Sequence, residues 1–368
     1  MKKPVISLID HFIDLPDPRL DRRKLHSLTD ILCITICAVI CGAQHWTQIE
    51  DFGLAKEKWF RSFLTLENGI PSHDTFGTFF AALDPEAFAT CFIKWVEALA
   101  EHTLGDIVSI DGKALRKSFD KASGKAMIHM VSAFSSANDL VLGQLKVNDK
   151  SNEITAVPQL LKLLVLEGAI VTTDALNCQK DIASTIVDQG ADYVLALKEN
   201  HPTLYADVEL YFKTHAERCK STEELFEKGH GRIESRRYWL ETNIDWLGQR
   251  TEWKKLKGIG MVESRRDING EVSFERRYYV VSVSEIDAFS RAVRRHWHVE
   301  NKLHWTLDVA FKEDLSRVRI GYASENFSTL RRIALNLLKQ EKTSKRGIES
   351  KRLRAGWDHD YLLKVLKI

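Results

Sequence analysis

Between residues 105 and 214 the order of apolar runs leaves few folds open. Residues 106–111 (DIVSID), 127–135 (MIHMVSAFS) and 140–147 (LVLGQLKV) read as three strands, and Ser136-Ala137-Asn138-Asp139 reads as the hairpin turn between the last two. The pattern then alternates. A helix over 154–166 with Asn152 as its N-cap is followed by a strand over 169–174 (AIVTTD) and a helix over 179–189 stopped by Gly190. A strand over 193–197 and a helix over 204–214 complete the series. Strands joined by tight turns are antiparallel, whereas a strand regained through a helix runs parallel, so one sheet must hold both directions.

Three hairpin-linked strands extended by parallel α/β units is the order of a ribonuclease-H-like fold. The expected class is α/β, a ribonuclease-H-like mixed sheet with helices, a β-rich insertion and an N-terminal all-helical domain. Other α/β layer domains share the composition, and the placement of the acids separates them. The expected organisation is a helical domain over 1–104, the first part of the catalytic domain over 105–214 and the insertion over 215–284. The last part of the catalytic domain comes next over 285–340, and then a basic tail over 341–368. Within the insertion, residues 232–240, 260–266 and 274–283 alternate as strands do, and Asn269-Gly270 signals a hairpin.

Composition narrows the function. Apolar content of 44% and charged content of 28% are those of an ordinary water-soluble protein, and no window approaches a membrane span. No secretory leader is expected, because Asp10, Asp14 and Asp17 interrupt the N-terminal stretch; the expected location is the cytoplasm. Six cysteines do not make a disulfide framework, and Cys33, Cys37 and Cys41 read as a small-residue packing face of one helix. Net charge is only +2, yet nine Lys/Arg stand against four acids over residues 339–368, which reads as a phosphate-contacting tail.

Chemistry enters with the acids. Asp111 and Asp174 each close an apolar strand, where reacting groups gather in open α/β sheets. In the expected fold the two strands are neighbours, and paired carboxylates repel unless a proton or a metal lies between them. Oxygen ligands without a supporting His/Cys set favour Mg²⁺ or Mn²⁺. A third acid is offered by RRHWHVENKLHW, residues 294–305, where Glu300 is flanked by Arg294, Arg295, His298 and Lys302. On a regular helix His296, Glu300 and His304 would share a face, a spacing that also admits a zinc site. HExxH is absent, however, and zinc would leave Asp111 and Asp174 without a role. Lys113 and Lys198, just after the strand ends, join Arg294, Arg295, His298 and Lys302 as candidate DNA contacts. Glu153 reads as part of a helix N-terminus, and Trp297 and Trp305 as core anchors.

The stretches SIDGK, KSNEITAVPQLL, VTTDAL, HWHVENKLHWTLDVAFKED and ENFSTLRRIALNLLK, with LTDILCITICAVICGAQHWTQIEDFG near the N-terminus, closely resemble the H-repeat-associated family of insertion-sequence DDE transposases. The resemblance spans essentially the whole chain. It implies a ribonuclease-H-like catalytic domain with a β-rich insertion before the last acid, and a metal-binding triad on Asp111, Asp174 and Glu300. Related elements carry Tyr, Arg and Lys around the glutamate; the matching positions here are Val293, His296 and Leu307. Asp308 and Asp314 are therefore reserve third acids.

The expected activity is DNA cleavage and strand transfer at element ends by two Mg²⁺ or Mn²⁺ ions. Double-stranded DNA is the expected partner, with at least a homodimer assembled on it. The alternatives are an inactive relic that only binds DNA and a metal-dependent DNA nuclease.

Overall fold

The computed structural model describes residues 8–101, 103–119, 126–147, 152–222, 225–229, 232–268 and 271–366. Asn269-Gly270 lies outside them. Five helices open the chain: α1 (Leu28–Ile40), α2 (Trp46–Ala55), α3 (Glu57–Phe60), α4 (His73–Ala82) and α5 (Pro85–Leu99). Their starts reflect local chemistry. The Ser27 and Ser72 hydroxyls accept from the backbone amides of Asp30 and Thr75. The Asp84 carboxylate accepts from that of Glu86, with Pro85 in the first turn, where its missing N–H costs nothing. Cys37 is buried on α1, and burial pushes the Cys33 and Cys41 thiols up to about 12. These are unreactive packing groups.

The sheet begins with β1 (Ile107–Leu115), β2 (Ile128–Ser135) and β3 (Leu140–Lys146). It continues through α6 (Glu153–Lys162), β4 (Ile170–Thr173), α7 (Lys180–Asp188), β5 (Asp192–Leu197) and α8 (Pro202–His215). Next come β6 (Lys220–Ser221), β7 (Leu225–Gly229), β8 (Arg232–Glu241), β9 (Gly258–Ile268) and β10 (Glu271–Val281). Strand order is β3-β2-β1-β4-β5-β10-β9-β8-β6, with β7 paired to β8. β1 is antiparallel to β2 and parallel to β4, and β4 is parallel to β5. The first five strands thus have the ribonuclease-H-like arrangement. The inserted strands are no separate layer: β10 pairs antiparallel with β5, so the insertion prolongs the same sheet.

After β10 the chain forms α9 (Ile286–His296), a π-turn (Val299–His304) and α10 (Trp305–Val309). It ends with α11 (Ala323–Gln340), α12 (Ile348–Trp357) and α13 (His359–Leu366). α11 is buried along nearly its whole length and ties the parts together. The Asn336 amide exchanges two 2.9 Å hydrogen bonds with the Val141 backbone, covering the edge strand β3. Asn326 donates to the carbonyls of Phe80 and Leu83 at the end of α4. The N-terminal helices and the sheet consequently share one core through α11 and α5, instead of standing apart.

The C-terminal cations also depart from expectation. Residues 348–366 form packed helices, not a solvated tail. The Lys351 ammonium donates to the carbonyls of Leu338 and Glu341, and the Arg352 guanidinium to those of Val39, Ile40 and Ala310. Charge counted along a sequence cannot tell a phosphate ligand from a cation that caps helix carbonyls, and here several are caps. Among the described residues no single helix is long and apolar enough to cross a membrane.

Candidate active site

The parallel pairing of β1 with β4 runs from Ile107–Ile170 to Ile110–Thr173. Asp111 and Asp174 are each the next residue, so register alone sets them side by side where β4 ends. β1 itself does not end at Asp111. It runs on to Leu115 against β2, which holds the aspartate in a fixed strand instead of a loop.

Glu300 arrives from the other side on the π-turn. Ligand atoms of Asp111, Glu300 and His304 all lie within 4.8 Å of one another. His304 Nδ1 is 3.5 Å from Asp111 Oδ2 and 3.3 Å from Glu300 Oε2. The imidazole is buried, and its Nε2 has no hydrogen-bond partner. Asp174 stands just outside this trio: its Oδ1 accepts from the Asn177 backbone and side-chain amides, at 3.2 and 3.0 Å. The electrostatics show how crowded the acids are. Burial, reinforced by the charges of Asp174 and Glu300 and opposed by His304, pushes Asp111 up to about 6. Glu300, more exposed and bonded to His304, is held below the usual carboxylate range.

A fourth carboxylate shares the site, one that its place in the sequence assigns to a helix N-terminus. Glu153 does open α6, but its carboxylate turns inward over Gly112, where a Cβ would fall 2.0 Å from Glu153 Oε1. The Asn177 amide bridges Glu153 Oε2 and Asp174 Oδ1 at 3.3 and 3.0 Å. Burial raises the Glu153 carboxyl, with the charge of Asp174 adding to the shift and the Asn177 hydrogen bond opposing it. The signals present in the sequence are the glycine directly after Asp111 and the asparagine three residues after Asp174.

The expected single face of His296, Glu300 and His304 is broken. α9 ends at His296, and the π-turn shifts the helical phase of the residues beyond it. His296 instead bonds Thr172 Oγ1 through Nδ1 at 2.9 Å, and burial pushes it down to about 4. Without His296 beside them, Glu300 and His304 do not form the zinc site that regular spacing would allow.

The other candidates separate clearly. Lys113 is not on an open surface: its ammonium lies 2.6 Å from Asp308 and 3.3 Å from Asp314. That accounts for both reserve acids, with Arg116 also on Asp314 at 3.0 Å. Lys198 is exposed and lines a cleft with Asp174. Arg294 is exposed, Arg295 partly buried, and Lys302 lies 3.7 Å from Asp139. His298 bonds Ser136 Oγ at 3.1 Å, and burial together with Lys302 and Arg295 pushes it down to about 4. It is neutral near pH 7 and brings no positive charge to a phosphate. Trp297 and Trp305 are not core anchors, being 45% and 61% exposed.

Asp111 and Glu300 beside the buried His304 could together hold a cation, and comparison with known proteins gives the family. Residues 102–337 match the family model described as "Transposase DDE domain", and residues 9–96 the one described as "DDE_Tnp_1-associated". The chain belongs to this family of DDE transposases. It is 42% identical to "H repeat-associated putative transposase YhhI" of Escherichia coli (strain K12), covering 98% of this chain and 97% of that one. It is also 42% identical to "Putative transposase YncI" of Escherichia coli O157:H7, covering 98% and 94%. A solved synaptic complex of piggyBac transposase with hairpin DNA aligns with 99% of this chain and 78% of that one. The TM-score is 0.42 and the identity 10%.

Proposed function

We propose that Asp111, Asp174 and Glu300 are the metal-holding acids of a transposase that cuts DNA at the ends of an insertion-sequence-like element and joins those ends to a target. The observation that carries this reading is the convergence of Asp111 and Glu300, far apart in sequence, to within 4.8 Å beside His304 at the end of the parallel strands. The donor set fits a hard divalent cation. Oxygen donors dominate, and burial together with the neighbouring acids raises the Asp111 carboxyl, an effect that a bound cation would oppose.

Two Mg²⁺ or Mn²⁺ ions bound there would supply an activated oxygen nucleophile and offset charge on the leaving 3′-oxygen. Asp111, Asp174 and Glu300 would hold these ions, with Asp111 serving as the shared ligand. β1 and β4 hold the first two acids rigid, and the Asn177 amide keeps Asp174 and Glu153 oriented. Hydrolysis breaks the P–O3′ bond and leaves a 3′-hydroxyl and a 5′-phosphate. That hydroxyl then attacks a target phosphate at the same site, displacing a new 3′-oxygen, so no covalent link to the protein is required. Lys198 and Arg294, both exposed beside the acids, are the cations placed to hold DNA phosphates. Double-stranded DNA is the partner, and bringing two ends together implies at least a dimer on it. We place the reaction in the cytoplasm.

The test is incubation of the purified chain with Mn²⁺ and labelled DNA from the ends of the element that carries this gene. Joined products support the reading. Nicks without joining would make it a nuclease, and an intact but shifted band would reduce it to a DNA-binding protein.

A further inference from the structure

The proposed reaction gives no part to His304, although its imidazole stands between two of the acids. His304 follows Glu300 by four residues on the π-turn, whose other buried members, Val299 and Leu303, anchor that turn in the core. Such turns are rare and recur at functional sites. The imidazole is packed and not free to swing. Its side chain is 5% exposed, against 26% for Asp111 and 56% for Glu300. The least accessible of the three groups is thus a nitrogen heterocycle.

Spacing tells what this nitrogen is suited to. A charge-assisted hydrogen bond would draw Nδ1 to about 2.7–2.9 Å from one carboxylate oxygen. Instead Nδ1 stands 3.5 Å from Asp111 Oδ2 and 3.3 Å from Glu300 Oε2, at nearly equal distance from both. Ligand atoms about 2.1 Å from one ion lie roughly 3 Å apart at right angles and about 3.4 Å apart in a tetrahedron. The three atoms therefore have the mutual spacing of neighbouring ligands round a common centre. Asp111 also meets Asp174 across the register of β1 and β4, and Asn177 ties Asp174 to Glu153. The cluster is lopsided. On one side Asp111 has carboxylates for neighbours, and on the other a carboxylate and an imidazole.

We propose that His304 is itself a metal ligand, through Nδ1, and that with Asp111 and Glu300 it forms one of two unlike cation positions. The other is the all-oxygen position on the Asp174 side. The proposal rests on the metal-dependent reading above and adds a nitrogen donor to it. Mg²⁺ favours oxygen ligands and keeps its water, whereas imidazole suits transition metals. The His304 position should accordingly prefer Mn²⁺ to Mg²⁺, and the all-oxygen position should discriminate less.

The test is pulsed electron paramagnetic resonance of the full chain with one equivalent of Mn²⁺ and no DNA. The wild type is expected to show coupling to a directly bonded nitrogen, and isotopic labelling of histidine nitrogen should alter that coupling. His304→Gln should abolish it. In calorimetry the same variant should lose at least about tenfold in Mn²⁺ affinity and much of its preference for Mn²⁺ over Mg²⁺. Bound Mn²⁺ without a directly bonded nitrogen in the wild type would overturn His304 as a ligand and leave the carboxylate reading standing; this result needs no variant. So would a nitrogen coupling that persists in His304→Gln. Mn²⁺ affinity unchanged in Asp174→Asn and Glu300→Gln as well would overturn both readings.

Discussion

The first five strands and the inserted ladder belong to one sheet, yet what covers them differs. Ile107, Val108, Ile110 and Val171 are buried between helices on both faces. In β10, by contrast, residues 271–276 are exposed and burial begins only at Tyr278; β9 grades the same way in the opposite direction. Asp111 and Asp174 stand half-buried beside these covered strands, with Asp111 inside β1. One part of the sheet is covered and the other opens to solvent, because burial ends partway along the inserted strands.

The largest effect that could break this comparison concerns the acids. Asp174→Asn and Glu300→Gln should each lower Mn²⁺-dependent cleavage of end DNA by at least about 10²-fold, while circular dichroism and thermal midpoint stay near wild type. Cleavage retained in Glu300→Gln would remove that residue from the triad and return attention to Asp308.

Next in size is a stability effect of the dry half. Asp111 titrates at about 6 in the fold, above its ordinary 3.8. A raised folded pKa means that the protonated group favours folding, and this contribution is lost as pH rises from about 4 through about 6. Above that window the metal-free chain carries a buried charge worth on the order of 2–3 kcal/mol against folding. Asp111→Asn should therefore raise the urea midpoint of metal-free protein near neutral pH and flatten its decline between pH about 4 and 6. Added Mn²⁺ should stabilise the wild type and not the variant. A variant no more stable than wild type in metal-free buffer would show that Asp111 is not held as a strained charge.

Smaller again is the effect expected at Glu153. Glu153→Gln keeps the shape over Gly112 and the contact to Asn177 but removes a charge from the cluster. Supporting groups around metal ligands typically contribute 10–100-fold, so a loss of about that size is expected in Mn²⁺ affinity measured by calorimetry. Unchanged affinity would reduce Glu153 to packing.

Legibility in the sequence divides along the same line. Asp111 and Asp174 could be read because each closes a short apolar run, and the strand order made those runs neighbours. Glu300 was legible by resemblance, but its geometry was not. Helical spacing assumes a constant turn, and the π-turn at Val299–His304 detaches His296 while keeping His304 beside the acids. Glu153 was hidden because an acid in a helix's first turn already has a local explanation, and only tertiary packing turns it over Gly112. Lys113, Lys351 and Arg352 looked like surface cations, since sequence does not show which carbonyls and carboxylates they will face.

The smallest effect belongs at the open end of the ladder. Phe274 is 65% exposed, on the part of β10 that no helix covers. If the ladder is as open as its burial gradient implies, Phe274→Ser loses almost no buried apolar area and should change the unfolding free energy in urea by less than about 0.5 kcal/mol. The same measurement across a range of protein concentrations sharpens the point. A larger loss that grows with concentration would mean that a second copy covers this ring, and the contrast between dry and open halves would hold only for the isolated chain. A larger loss independent of concentration would place the ring in a contact within the chain itself, and the open half would then be less open than the exposed residues 271–276 indicate.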